Sequence, residues 1–132
     1  NGQPDIYLYD VRSKKTTKIT KYSGIDVGAQ FMDNETIAFV SDRMGNPNIF
    51  SKRFDSSAVE QMIYYGKSNS ACSTYGSYIV YKSRESSHSF SSNTFNLHLI
   101  STETDFIRRL TAVGVNEFPR FSKDGDAIIF IK

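Results

Sequence analysis

The sequence predicts an all-β chain, a partial β-propeller of four-stranded antiparallel blades, and three observations predict it. Four kinds of short apolar run recur in a fixed order, with a period of forty-odd residues. Spacing inside the unit is constant: Ile6 to Ile19, Ile49 to Met62 and Leu97 to Leu110 are each 13 positions apart. No segment carries the 3.6-residue apolar period of an amphipathic helix.

Within a unit the strands are lettered a to d. The b strands are Ile37-Ala38-Phe39-Val40, Ile79-Val80-Tyr81 and Ile128-Ile129-Phe130-Ile131. They are apolar throughout instead of alternating, as expected of strands covered on both faces by stacked blades. After the first of them, Ser41-Asp42-Arg43-Met44-Gly45-Asn46-Pro47 breaks the run with turn residues, and Asn48-Ile49-Phe50 resumes extended structure. The c strands are Ile6-Tyr7-Leu8-Tyr9, Ile49-Phe50 and Leu97-His98-Leu99; the d strands are Lys18-Ile19-Thr20, Gln61-Met62-Ile63 and Arg109-Leu110-Thr111. Phe31, Cys72 and Phe121 mark the a strands and are expected to be buried near the propeller axis. Ser122-Lys123-Asp124-Gly125 reads as the turn from a to b, with Ser73-Thr74-Tyr75-Gly76 in the same place one unit earlier. The long excess in the third unit is the Ser-rich stretch 83–94, expected to be a mobile loop. The order c-d, a-b-c-d, a-b-c-d, a-b divides the chain at 1–22, 23–66, 67–113 and 114–132. Twelve strands make about three blade equivalents, fewer than the four to eight of a closed propeller.

Composition narrows the function. The chain has 132 residues, 39% hydrophobic and 14% aromatic, with 16 basic against 14 acidic residues. The basic residues are scattered, so no nucleic-acid partner is expected. The longest apolar run is far too short to span a bilayer as a helix. The start at Asn1 carries no signal peptide and reads as a mature or excised piece. Cys72 is the single cysteine, which excludes an intramolecular disulfide and a multi-Cys zinc site.

Two motifs carry a resemblance. Ser41 to Phe50 reads S-D-R-x-G-N-P-x-I-F, and Phe118 to Gly125 reads F-P-x-F-S-x-D-G. Together with Arg109-Leu110-Thr111, these resemble the TolB-type propeller repeat, over nearly the whole chain. The departures are Ser70-Ala71-Cys72, where the repeat has a Pro and an aromatic, and Asp33-Asn34-Glu35, where it has P-D-G. The resemblance implies the carboxy-terminal half of a six-bladed propeller. It also implies a periplasmic protein that docks the peptidoglycan-associated lipoprotein Pal and works with other Tol-system proteins of the Gram-negative envelope. Members of that family can carry a cation in the central channel; no cofactor is otherwise implied.

The residues themselves offer little chemistry. No G-x-S-x-G occurs, and neither His88 in the Ser-rich loop nor His98 on a strand stands in a triad or zinc setting. The chain therefore reads as non-enzymatic. Asp124 is one carboxylate in a turn, too few oxygens for a hard cation. The pair Asp42 and Arg43 has two readings: a contact on the propeller rim, or Asp42 accepting backbone N–H groups in its own turn while Arg43 spans to a neighbouring blade.

Strand order places the d-to-a and b-to-c connections on one face, which carries the longer loops. Asp42, Arg43, Asn46, Arg84, Asn116 and Glu117 are the polar partner-binding candidates there, with Lys14, Lys15 and Lys123 on the opposite face. The alternative is a propeller that gates the active site of a serine oligopeptidase or tricorn-like protease. For an isolated piece, two copies either close as a two-chain ring of six blades or leave their terminal strand edges open.

Overall fold

The computed structural model describes residues 3–84, 94–104 and 106–132. Twelve strands follow in order: β1 (Tyr7–Tyr9), β2 (Thr16–Lys18), β3 (Asp26–Phe31), β4 (Thr36–Ser41), β5 (Asn48–Arg53), β6 (Val59–Gln61), β7 (Lys67–Tyr75), β8 (Tyr78–Arg84), β9 (Asn96–Ser101), β10 (Ile107–Arg109), β11 (Glu117–Phe121) and β12 (Ile128–Ile131). They form four antiparallel meanders, β1-β2, β3-β4-β5-β6, β7-β8-β9-β10 and β11-β12, called here the first to fourth blades. Among the described residues there is no helix. The Ser-rich loop with His88 lies outside the described residues apart from its ends.

The 13-residue spacing is a hydrogen bond. Ile19 N–H donates to the Ile6 carbonyl, Met62 N–H to Ile49 and Leu110 N–H to Leu97, each at 2.8 Å. The c-d hairpin is thus closed at one equivalent point in all three copies. The d strands start earlier than the sequence suggests, at Thr16, Val59 and Ile107, and each expected triplet begins on the strand's last residue and runs past it.

The b strand explains how the blades stack. On β4, Ile37 and Phe39 pack with Ile6, Ile19 and Phe50 between the first and second blades. Ala38 and Val40 point the other way, into a cluster with Ile49, Ile63, Cys72, Ile79, Tyr81 and Ile100 between the second and third. Phe39 and Ala38 are both fully buried, as a strand covered on both faces requires. β12 has the same composition, yet Ile129 is 73% and Ile131 61% exposed, because β11-β12 carries no outer strands among the described residues.

The inner strands share a bulge that the sequence does not announce. Register shifts fall between Val27 and Gln30, within Ser70 to Ser73, and between Glu117 and Arg120. At each a residue takes the left-handed region: Gly28 (φ 65°), Ala71 (φ 51°) and Phe118 (φ 52°). Such bulges bend a strand and increase its twist, as the innermost strand of a blade must.

Two expectations need correction. Cys72 is not the counterpart of Phe31 and Phe121. Phe31 pairs with Ile37 and Phe121 with Ile128, while Thr74 pairs with Ile79. Thr74 therefore holds the equivalent position, and its hydroxyl donates to the Phe31 carbonyl of the adjacent blade. The shift arises because β7 runs on to Tyr75, which pairs with Tyr78, so the connection is the two-residue turn Gly76-Ser77 in place of Ser73 to Gly76. Nor are all three markers buried: Cys72 is, Phe121 is half-buried, and Phe31 is 61% exposed. Phe31 lines a hollow against Ile6 to Tyr9. Among the described residues the sheet on that side is β1-β2, with no inner strand to cover it.

Candidate docking face

The d-to-a and b-to-c connections meet at one end of the blades. Ile25 and Asp42 bond reciprocally: Ile25 N–H donates to Asp42 Oδ1 at 3.0 Å, and Asp42 N–H to the Ile25 carbonyl at 3.3 Å. One blade later Phe95 N–H donates to Gly114 O, and Asn116 N–H to Phe95 O at 3.0 Å. Loops tied to each other in this way present a fixed surface.

A buried polar side chain anchors each of these corners. Asp26 opens β3, Asn69 is the third residue of β7 and Asn116 immediately precedes β11, each two residues before the left-handed bulge residue; they are 1%, 1% and 0% exposed. Asn69 Nδ2 donates to Asn48 Oδ1 at 3.1 Å and to the Tyr65 carbonyl at 2.8 Å. Asn116 Nδ2 donates to the carbonyls of Phe95 and Val113, with Asn96 Oδ1 at 3.4 Å. Asp26 instead receives a guanidinium: Arg43 Nη2 stands 3.1 Å from both its carboxylate oxygens. Arg43 Nε donates to Ser41 Oγ at 2.9 Å, and the guanidinium carbon lies over Tyr22 (4.9 Å), Phe50 (5.2 Å) and Phe39 (5.5 Å). Burial, and then the neighbouring Asp42 carboxylate, pushes the Tyr22 phenol above its ordinary pKa. Gly24 is required there, because a Cβ would lie 2.4 Å from both the Tyr22 ring and Asp42 Oδ1.

In the third blade the cations are arranged differently. Lys82 Nζ is 2.7 Å from Glu117 Oε1, an ion pair from the third blade to the fourth. The same ammonium lies 4.6 Å over the Phe95 ring and 6.0 Å from Phe118. The Arg84 guanidinium lies 5.1 Å over Phe95, and its Nε is buried with no hydrogen-bond partner among the described residues.

The six sequence candidates therefore separate. Asn46 is exposed in the loop after β4; Asp42, Arg43, Arg84 and Glu117 are half-buried. Asn116 is fully buried and holds the backbone, so it has no surface to offer a partner. Arg43 pairs within its own blade, not with a neighbouring one; the Asp42 carboxylate accepts from the incoming linker, while its backbone carbonyl accepts the Gly45 N–H within its own turn. The structure joins Arg84 and Glu117 through Phe95 and Lys82; Asp42 and Arg43 belong to the other corner. Sequence reasoning missed Asp26, Lys82 and Phe95. It also missed the exposed apolar residues of these connections: Met44, Tyr64, Tyr65 and Val113 are 70%, 74%, 70% and 72% exposed. Large apolar side chains inside predicted loops were the available signal.

Elsewhere the polar groups serve turns. Asp124 Oδ1 accepts from Ser122 Oγ and from Asp126 N–H, which holds its carboxyl below the ordinary value, and Gly125 has φ 78°. Lys18, 2.7 Å away, lowers Asp5 in the same way. His98 stacks on Tyr81 across β8 and β9 at 5.6 Å. Among the described residues no group of three or more His, Cys, Asp or Glu side chains is placed to hold a metal ion.

Comparison with known proteins agrees with this geometry. The chain is 52% identical to the Tol-Pal system protein TolB of Wolinella succinogenes over 132 residues, covering 98% of this chain and 31% of that relative. It thus spans about a third of that protein's length. The crystal structure of TolB from Acinetobacter baumannii superposes with a TM-score of 0.81 at 28% identity, covering 97% of this chain and 32% of that one. The tricorn protease superposes with a TM-score of 0.59 at 17% identity, over 98% of this chain and 13% of that one, which is a likeness of fold alone. The family model for the TolB beta propeller domain matches residues 1–132, and the chain belongs to that family.

Proposed function

We propose that this chain is a non-enzymatic docking scaffold of the Tol-Pal envelope system, working in the periplasm, whose long-loop face receives a peptidoglycan-associated lipoprotein. The observation that carries the reading is the character of that face. Exposed apolar residues (Met44, Tyr64, Tyr65, Val113, and Phe118 at 55%) stand among polar side chains already fixed by buried clamps. Protein interfaces use this combination, apolar anchors within a polar rim on a surface that need not reorganise. The relatives' name, Tol-Pal system protein, supports the choice of system. The protease-gating alternative has only a shared fold behind it.

The test uses the full-length parent protein and the soluble domain of its peptidoglycan-associated lipoprotein, with calorimetry for affinity and thermal unfolding as a control. Tyr64→Ala, Tyr65→Ala and Asn46→Ala are expected to weaken capture, with the tyrosines reaching at least about tenfold. Lys14→Ala and Lys123→Ala, on the opposite face, are expected to leave it unchanged. Equal losses from the two faces would sink the assignment.

A further inference from the structure

We propose that Arg84 is a docking cation whose guanidinium, held over Phe95 beside Lys82, receives a carboxylate side chain of the protein that docks on this face. The proposal rests on the docking reading above and names the chemistry at one of its corners.

The molecule supplies its own control in the second blade. There Ser41 and Asp26 face each other across β3 and β4, and the Arg43 guanidinium is consumed by both. In the third blade Ser83 takes the place of Ser41, each pairing with the asparagine that opens the c strand: Asn48 for Ser41, Asn96 for Ser83. Asn69 takes the place of Asp26, so the acid is gone. The arginine stands one position earlier, at 84 instead of the place matching 43, and its guanidinium has turned to Phe95. The clamp has been dissolved while a cation has been kept.

What remains, among the described residues, is a positive charge without a counterion. Lys82 and Arg84 share the Phe95 ring, and Glu117 neutralises only Lys82. The Arg84 Nε is buried without an acceptor among the described residues, so no internal hydrogen bond there is lost when the guanidinium turns to a partner. A guanidinium is planar and presents its donors in one plane, which matches the two oxygens of a carboxylate. Phe118, 55% exposed and next to Glu117, offers an apolar contact beside the charge. The fitting partner element is therefore a Glu or Asp flanked by an apolar residue.

The experiment uses the full-length protein labelled with 15N-arginine, with the Arg84 Nε–H resonance assigned by its loss in Arg84→Lys. Two probes are titrated: the soluble domain of the peptidoglycan-associated lipoprotein, and a capped Gly-Glu-Phe-Gly peptide with its Gln counterpart. The expected result is a shift of the Arg84 resonance with the lipoprotein and with the Glu peptide but not the Gln peptide. Arg84→Gln and Arg84→Lys should each weaken lipoprotein binding at least about tenfold without changing thermal unfolding, the lysine failing because it cannot bind bidentately. If the lipoprotein binds wild type and Arg84→Gln alike, the proposal is overturned and the docking reading stands. If the lipoprotein does not bind wild type, the docking reading fails; a Glu-specific shift then still supports the carboxylate site, and its absence overturns it.

Discussion

Removing Arg43 tests the corner chemistry most directly. Among the described residues its guanidinium is the one hydrogen-bond donor to the Asp26 side chain, which is fully buried, while Arg43's own side chain is 20% exposed. Arg43→Met keeps length and apolar contact with Phe39, Phe50 and Tyr22 but leaves a buried carboxylate without a partner. Losing one member of a buried pair is destabilising by about 3–5 kcal/mol. The one-fifth exposure of Arg43 favours the lower end, about 3 kcal/mol. Replacing both members, Asp26→Leu with Arg43→Met, removes the stranded charge and should recover most of that loss, since apolar substitution of a whole buried pair is often close to neutral.

The assay is urea unfolding of the full-length protein followed by tyrosine fluorescence, with free energies from linear extrapolation. The three variants with wild type form a double-mutant cycle whose interaction term isolates the pair. The single change at 43 should be the worst of the set and the double variant better than it. An Arg43→Met loss below about 1 kcal/mol, or a double variant worse than either single one, would refute the idea that this pair is buried and mutually dependent.

Three further outcomes follow from the same coordinates. Gly28→Ala should cost about 1 kcal/mol through its left-handed backbone alone, because a Cβ there meets nothing nearer than Val40 at 3.8 Å; a neutral result in chemical unfolding would mean that the bulge relaxes. Burial raises the Cys72 thiol to about 11, so iodoacetamide at pH 8 should label it only as fast as the protein unfolds; rapid labelling of the native protein would place that strand wrongly. The carboxyls of Asp5, Asp10, Asp33 and Asp124 are all held below their ordinary 3.8, so the stability they contribute is present above about pH 4 and lost as pH falls through their lower folded values; a thermal midpoint that does not fall between pH 4 and pH 2 would contradict these bonds.

Much of the fold was legible because its repeat is a repeat of hydrogen bonds. The 13-residue offset survives the change from Ile6 and Ile49 to Leu97 and from Ile19 to Met62 and Leu110, since it reports where a hairpin closes and not which side chain stands there. The all-apolar b strands were legible because two-sided burial leaves no room for alternation. The bulge was not: Gly28 alone suggests it, while Ala71 and Phe118 adopt the same backbone without the residue that ordinarily betrays it. The turn after β7 was misplaced for a related reason, since Ser73 to Gly76 imitates a longer turn by composition while strand pairing continues to Tyr75.

The docking face was less legible, and Asn116 shows why. A polar residue in a predicted loop looks available from sequence, yet this one is fully buried just before an inner strand, where the backbone of the linker needs a donor in place of water. The same structural position is filled by Asp26, Asn69 and Asn116, and only the acid draws an arginine to itself. Whether an arginine on this face is structural or free to bind thus depends on one atom of a buried neighbour, a carboxylate oxygen or an amide nitrogen some 17 residues away in sequence at Asp26 and Arg43. Asn69→Asp converts one case into the other. It would lose the amide's two donor bonds, to Asn48 Oδ1 and the Tyr65 carbonyl, and bury a charge with no cation now bonded to that site. The expected loss is again about 3 kcal/mol or more. If Asn69→Asp were instead tolerated while partner affinity fell, Arg84 would have been drawn inward to the new carboxylate, and the face would have lost its cation to the clamp.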